Sequence, residues 1–350
     1  MVCKNAVYEK NDIWYIDNNG AINKIGITEH SIFGKIPFET RHPFCAKYKD
    51  KIFCMPANGR NIVVFDIKES AYREIAIPLV SENVTLEDFW IEEDSAWGVV
   101  KHGKEIINLD LREEEVKEVF RISEQESFAG IFDAFMHDNK IYMTSYESSD
   151  IYTYDISNNK IETINTGLCD DTFSTIVLVN NRIYLAGEKT CIYSLDVSDH
   201  RFLTIDMDKA FFSVLRGGHI FRKSFVFENK IIFIPFTEPE HADSIVILDS
   251  LNNSFEYINI LKDIFPECNG FGNRYVNILN ISEFGEMDVY MDNLPIHRYK
   301  LDSKKVEIIK TPPVNVSIIK DYYKNPYVLV EAEDCKLSSF IEGLVTFTNS

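Results

Sequence analysis

One pattern of short strands and turns recurs along the 350-residue chain. Each copy has an apolar strand, a loop, a second strand that ends near an aspartate, a turn and a third strand. The clearest copy covers residues 139–143, 151–156 and 160–164. The apolar strands are anchored near residues 13, 52, 96, 141, 183, 231 and 289, so successive copies lie 39, 44, 45, 42, 48 and 58 residues apart.

Repeats of 40–50 residues with several strands each are typical of β-propeller blades. A small sheet of this kind cannot bury both faces alone, so it stacks on its neighbours, and a ring of such sheets leaves only short edges. Pairs such as Asn158-Asn159 and Asn252-Asn253 suit the tight turns between the strands. We therefore expect an all-β fold, a single β-propeller spanning residues 1–350, with seven blades of about four antiparallel strands. Because the first and last copies are degenerate, six or eight blades remain open.

Residues 139–164 resemble a kelch repeat, with a strand, a loop, an aromatic strand that ends in Tyr154-Asp155, and a short outer strand. The resemblance covers most of the chain. Kelch repeats carry a Gly-Gly pair after the first strand, where this chain has Thr144-Ser145, and an outer-strand Trp, where it has Glu162. The resemblance therefore implies a kelch-like architecture and no particular activity.

The C-terminal residues, 314–350, depart from the repeat. Leu337, Phe340, Ile341 and Leu344 follow helical spacing, which predicts a short amphipathic helix over residues 335–343. Residues 314–319 and 327–330 read as strands, one of which is expected to complete the first blade and close the ring. The helix either caps the propeller or docks a partner.

The balance of charge restricts the partners that we expect. The chain has 36 Lys and Arg against 55 Asp and Glu, a formal net charge of −19. Nucleic acid and anionic membranes are repelled by such a field, so neither is expected as a partner.

Cysteine usage and the N-terminal sequence point to a cytoplasmic protein. The seven cysteines contain no C-x-x-C pair, so a thiolate zinc site is not expected. No cofactor is predicted. Residues 1–12 carry charges and lack an apolar signal segment.

Candidate ligand-binding residues lie in the segments that connect blades, which are rich in aromatic and polar side chains. In a propeller these segments meet, around the channel, with the loops that join the second and third strands. One interpretation is a pocket with aromatic walls and a few polar groups, and the other is that the aromatics pack between blades. The predicted ligand-binding residues are Arg41, His42, Asp88, Trp90, Asp171, Phe173, Arg216, His219, Asn273, Arg274 and Tyr275.

Two further segments bear on chemistry. Residues 209–227 contain five basic or histidine side chains and no acid, which favours an anionic group such as a carboxylate or phosphate. Residues 238–243 crowd three acids and a histidine into one loop, which we interpret as solvated rather than metal-binding.

The chain contains no G-x-S-x-G, H-E-x-x-H or phosphate-binding glycine loop, so no catalytic residue is predicted. The leading hypothesis is therefore a non-enzymatic binding propeller that presents an aromatic-rich loop face to a protein, peptide or small polar ligand. The alternative is an enzyme that acts on a carbohydrate or small polar metabolite at the channel mouth.

Overall fold

The computed structural model describes residues 6–9, 12–16, 21–25, 30–36, 44–79, 84–86, 88–122, 128–168, 171–199, 201–208, 219–236, 244–268, 276–282, 284–291 and 296–309. Within these residues, seven four-stranded antiparallel sheets follow one another along the chain, and each pairs its strands in sequence order. They are numbered here as sheets 1 to 7.

Sheet 1 consists of β1 (Ala6–Glu9), β2 (Asp12–Ile16), β3 (Ala21–Ile25) and β4 (His30–Lys35). Sheet 2 consists of β5 (Phe44–Tyr48), β6 (Lys51–Met55), β8 (Asn61–Asp66) and β9 (Ala71–Ala76), and the short β7 (Ala57–Gly59) pairs with β10 (Val84–Thr85). Sheet 3 consists of β11 (Phe89–Glu92), β12 (Ser95–Val99), β13 (Glu105–Asp110) and β14 (Glu115–Arg121). Sheet 4 consists of β15 (Ile131–His137), β16 (Lys140–Ser145), β17 (Ile151–Asp155) and β18 (Lys160–Ile164).

Sheet 5 consists of β19 (Phe173–Val179), β20 (Arg182–Gly187), β21 (Cys191–Asp196) and β22 (Phe202–Asp206). Sheet 6 consists of β23 (Phe221–Phe227), β24 (Lys230–Pro235), β25 (Ser244–Asp249) and β26 (Ser254–Asn259). Sheet 7 consists of β27 (Val276–Ile281), β28 (Glu286–Met291), β29 (Ile296–Lys300) and β30 (Lys305–Ile309). One π-helical turn, Ile260–Ile264, is the only helical element among these described residues.

The sheets are arranged as a propeller with their first strands at the centre. The first strand β19 lies against β15 and β23, and β1 lies beside both β5 and β27, which brings the first and last sheets together. The fourth strands, such as β9 and β18, are largely exposed at the outside. The expected single all-β propeller is therefore confirmed. The structure supports six blades, sheets 2 to 7, in which most side chains are described, rather than the seven expected; sheet 1 is described mainly through its backbone.

Burial of both faces explains the continuous apolar runs. On β24, Ile231 and Phe233 belong to a core cluster with residues of sheet 5, whereas Ile232 and Ile234 belong to another with residues of sheet 7. All four side chains are fully buried. Alternate residues of one strand therefore pack against the sheets on either side, as the stacking of blades requires.

The aspartate that ends most third strands has a structural role. Its carboxylate accepts a hydrogen bond from the backbone N–H two residues later, which shapes the turn into the fourth strand. These bonds join Asp66 to Lys68 (2.9 Å), Asp110 to Arg112 (2.8 Å), Asp155 to Ser157 (2.9 Å), Asp196 to Ser198 (2.9 Å) and Asp249 to Leu251 (2.9 Å). The predicted turn residues Asn159 and Asn253 adopt positive φ angles of 57° and 55°.

The predicted C-terminal elements fall outside the described residues, namely the helix over 335–343 and the strands over 314–319 and 327–330. Sheet 1 draws its four strands from residues 6–35. Among the described residues, no helix is both long and apolar enough to cross a membrane.

Candidate functional site

The first strands of sheets 4, 5 and 6 are bulged near their starts, and the bulges carry polar side chains. The pairing register shifts between Ile131 and Ala134, between Phe173 and Thr175, and between Phe221 and Lys223. The residues displaced from the regular ladder include Asp133, Ser174 and Arg222, each of which is buried. A β-bulge re-aims side chains in this way, and here it does so at the wall of the channel.

Each bulge side chain bonds to the backbone of the next sheet. The Ile176 N–H donates to Asp133 Oδ2 at 2.9 Å, the Ser174 hydroxyl donates to the Phe221 carbonyl, and Arg222 Nη2 donates to the Val276 carbonyl. Buried polar groups usually form hydrogen bonds, and these contacts give each of the three side chains a partner and join neighbouring sheets.

Four ionisable side chains meet at the centre, and we call them the channel cluster: Asp88 and Lys101 of sheet 3, Asp133 of sheet 4 and Lys223 of sheet 6. Lys223 Nζ lies 3.7 Å from Asp88 Oδ1. Since sheets 4 and 5 lie between these partners in the ring, the ion pair crosses the channel. Asp88, Lys101 and Asp133 are buried, and the Lys223 side chain retains 22% exposure.

Burial is the largest influence on Asp133. Loss of water and the neighbouring Asp88 carboxylate raise the pKa of Asp133 to about 8, although Lys223, Lys101 and the Ile176 N–H favour the ionised form. Asp133 therefore holds its proton at neutral pH and presents a neutral carboxyl group to the channel.

A second set of side chains, which we call the polar–aromatic row, crosses the same end of sheets 3 to 6. Tyr146 stacks between His102 (ring centroids 4.6 Å apart) and Phe132 (4.2 Å), and its hydroxyl lies 3.0 Å from His102 Nε2. The His219 ring meets Phe132 edge to face at 4.7 Å. Thr172 and Glu188 of sheet 5 complete the row.

The polar end of the row surrounds His219. Its Nε2 lies 2.9 Å from Thr172 Oγ1 and 4.0 Å from Glu188 Oε1. Burial lowers the pKa of His219 to about 4, against an opposing influence of Asp171. Burial likewise raises the pKa of Asp171, which accepts a hydrogen bond from the Glu188 N–H at 2.9 Å. At neutral pH this end of the row thus holds an uncharged imidazole beside the exposed carboxylate of Glu188.

The structure places five of the predicted ligand-binding residues. Asp88 is in the channel cluster, His219 is in the row, and Asp171 lies close enough to His219 to raise its pKa. Trp90 is buried in a core cluster with Trp97, and Phe173 is fully buried edge to face with Tyr193. The interpretation that the aromatics pack between blades therefore applies to Trp90 and Phe173.

The other predicted site residues lie outside the described part of the chain: Arg41, His42, Arg216, Asn273, Arg274 and Tyr275. The loop over residues 238–243 lies there too. Among the described residues, no group of His, Cys, Asp and Glu is arranged to hold a metal ion.

Sequence reasoning missed Asp133, Lys101, Tyr146, His102 and Glu188. Asp133 carried a usable signal, because an acid inside the apolar segment 131–135 is unusual in a buried strand. Tyr146 and Glu188 lie in loops that join second and third strands, the class of loop expected at the site. Their residue types gave no reason to choose them over their neighbours.

Comparison with known proteins shows the fold and no family. No protein-family model matches the chain, and no curated protein sequence matches it either. BamB from Moraxella catarrhalis is similar in structure, with a TM-score of 0.52 and 10% identity over 89% of this chain and 87% of that chain. The computationally designed Ika8 protein aligns over 73% of this chain and 86% of its own, with a TM-score of 0.49 and 10% identity. The likeness to BamB supports the propeller architecture.

Proposed function

We propose that the chain is a non-enzymatic binding propeller that uses the polar–aromatic row to hold a protein, a peptide or a small polar ligand. The observation that carries this proposal is that four successive sheets contribute to one continuous row. Aromatic side chains fixed by stacking bind a partner at a low entropic cost, and the polar groups beside them orient it. The partially exposed Tyr146, His102 and His219 and the exposed Glu188 are the side chains available to the partner.

Two finer features belong to the same proposal. Sheet 1 is the seventh blade, because its first strand lies between those of sheets 2 and 7 and because Trp14 and Ile22 share a core with Cys45 and Phe65 of sheet 2. The repeat is kelch-like in its strand order and in Tyr154-Asp155. We also place the protein in the cytoplasm, which suits the free thiols of Cys54 and Cys191. Its net charge of −19 disfavours nucleic acid and membranes as partners.

A peptide-display selection on the immobilised full chain tests this proposal. Affinities of the enriched peptides are then compared for the wild type, Tyr146→Ala, Glu188→Ala and a control, Tyr72→Ala, whose ring is exposed on the outer strand β9. We expect the row variants to weaken binding about tenfold or more, as central contacts usually do, while the control stays near the wild type. Enrichment of no peptide would exclude a peptide as the partner, and peptides that bind all four proteins equally would contradict the use of the row.

An enzyme acting on a carbohydrate or small polar metabolite is a second candidate. It is favoured by Asp133 and Asp88, two neighbouring carboxyl groups of which one is held protonated, since acid–base catalysis uses such pairs. Hydrolysis of chromogenic aryl glycosides by the wild type, abolished in Asp88→Asn, would support this candidate. Equal background rates for both proteins would exclude glycoside hydrolysis.

A further inference from the structure

Two cysteines of sheet 2 lie directly opposite each other. Cys45 of β5 pairs with Cys54 of β6 in the register of the hairpin, so both side chains point to the same face of the sheet. Both side chains carry thiols in this structure, and both are fully buried. Whether two such thiols can be joined depends on the kind of pair that the two residues form.

The position of the turn decides the kind of pair. Tyr48 pairs with Lys51 across a loop of two residues, and residues so close together can pair only by exchanging both hydrogen bonds. Hydrogen-bonded and non-hydrogen-bonded pairs alternate along a regular ladder, so Cys45 and Cys54, three steps further on, form a non-hydrogen-bonded pair. The Cα atoms of such a pair lie about 4.5 Å apart, and a disulfide spans about 4.4–6.8 Å. The two thiols can therefore be joined with little movement of the backbone.

Sheet 1 covers the two cysteines. Cys45 and Cys54 belong to a core cluster with Trp14 and Ile22 of sheet 1, and Cys45 Sγ lies 4.0 Å from the Trp14 carbonyl oxygen. Burial and the neighbouring Cys45 raise the pKa of the Cys54 thiol well above its usual value, so little of the reactive thiolate forms while sheet 1 is in place. Reaction with an oxidant from solution therefore requires that sheet 1 first separate from sheet 2.

We propose that Cys45 and Cys54 are a reversible redox site, which a small disulfide such as oxidised glutathione converts to a cross-strand disulfide when sheet 1 separates from sheet 2. The thiolate of one cysteine attacks the small disulfide, breaks its S–S bond and releases the first small thiol. The thiolate of the other cysteine then attacks the sulfur of the first and releases the second small thiol. Two electrons pass from the cysteines to the small disulfide, and its two halves leave with the two thiol protons.

This redox site lies between sheets 1 and 2, whereas the polar–aromatic row crosses sheets 3 to 6. The inference therefore goes beyond the proposed function, and the two can fail separately. Disulfides in a cytosol are usually transient and serve redox sensing, which is the use that a covered, reversible pair suits.

Oxidation of the folded full chain with oxidised glutathione, followed by alkylation, trypsin digestion and mass spectrometry, tests the pairing. Trypsin cuts after Lys47 and Lys51, so the disulfide joins peptide 42–47 to peptide 52–60, each of which contains one cysteine. We expect this linked pair to form and dithiothreitol to release it. Failure of the linked pair to form, or linkage of these peptides mainly to other cysteines, would overturn the proposal.

A matched control removes a different buried thiol. Cys191 of sheet 5 is buried and pairs with Asp206 on the neighbouring strand, so it has no cysteine opposite it in that pair. Cys191→Ser should give the linked pair in the same yield as the wild type, whereas Cys54→Ser should give none. Loss of the linked pair in Cys191→Ser would overturn the direct pairing of Cys45 with Cys54.

The role of sheet 1 is tested by the rate at which the disulfide forms. Trp14→Ala removes part of the cover and eases separation of sheet 1, so we expect the rate to rise about tenfold or more. Trp97→Ala, which removes a buried ring between sheets 3 and 4, is the control and should change the rate much less. A wild-type rate in Trp14→Ala, or equal acceleration by both variants, would overturn the control of oxidation by sheet 1.

A second measurement on the wild type keeps this test valid if Trp14→Ala fails to fold. Separation of one sheet exposes less surface than global unfolding, so the rate of disulfide formation should rise only weakly with low concentrations of urea. A dependence on urea as steep as that of global unfolding would overturn the proposal, because the cysteines would then react only in the unfolded chain.

Discussion

Replacement of Asp133 by Asn should make the protein more stable than the wild type at high pH. The folded-state pKa of about 8 lies above the usual value of 3.8. Between these pH values the native carboxyl keeps its proton while the unfolded one has lost it. Raising the pH then favours the unfolded chain, so the wild type loses stability through this window and levels off above it. Asn has no proton to lose, and its side-chain oxygen can still accept from the Ile176 N–H.

The size of the effect follows from proton linkage. One excess proton on the native state lowers the unfolding free energy of the wild type by about 1.4 kcal/mol for each pH unit. Between pH 5 and pH 7 the unfolding free energy of the wild type therefore falls by roughly 3 kcal/mol. The difference in unfolding free energy between Asp133→Asn and the wild type should therefore grow by roughly that amount, because all other titrating groups cancel.

Urea unfolding at pH 5, 7 and 9, followed by tryptophan fluorescence, measures this difference. Asp138→Asn is the matched control, since Asp138 lies on an exposed turn of the same sheet. A difference for Asp133→Asn that stays constant with pH, or that tracks the control, would refute the assignment of a buried, protonated carboxyl.

Three further outcomes follow from individual contacts. Gly187→Ala should destabilise the fold by about 1–3 kcal/mol in urea unfolding, because the added Cβ would lie 2.1 Å from the Thr172 carbonyl oxygen. Wild-type stability of this variant would show that Gly187 and the Thr172 carbonyl do not lie so close together. The ring protons of His219 should titrate by NMR near pH 4, and a midpoint near 6.5 would contradict its burial. Glu114→Ala should lower the unfolding free energy by about 1–3 kcal/mol, because this buried carboxylate pairs with Lys51 and Arg73 of sheet 2. Glu113→Ala, at an exposed position, should lower it little. Equal losses in the two variants would contradict a stabilising role for the Glu114 ion pairs.

The sequence predicted the second and third strands of each sheet better than the first. All seven anchors fall on second strands, from β2 to β28, because turn residues and apolar runs mark both ends of those strands. The first strands of sheets 4 to 7 escaped notice because bulges interrupt their alternation. On β15, for example, Phe132 and Asp133 both face the single partner position occupied by Thr144. A period-two search cannot recognise such a segment.

The candidate site was predictable in position and only partly in composition. Asp88, Asp171 and His219 were named because they flank strand starts, which the repeat locates. The pairing of Asp88 with Lys223 depends on the closure of the ring, and no local pattern encodes it. The protonation of Asp133 depends on burial by four different sheets, so residue type alone would have assigned it an ordinary charge.

The convergence of sheets 3, 4 and 6 at one channel is tested most directly by a crystal structure of the full chain. Electron density should place the Lys223 ammonium beside the Asp88 carboxylate, with β1 between β5 and β27. Sheets stacked in an open row, or a two-layer sandwich that separates Lys223 from Asp88, would contradict the ring and the binding site derived from it.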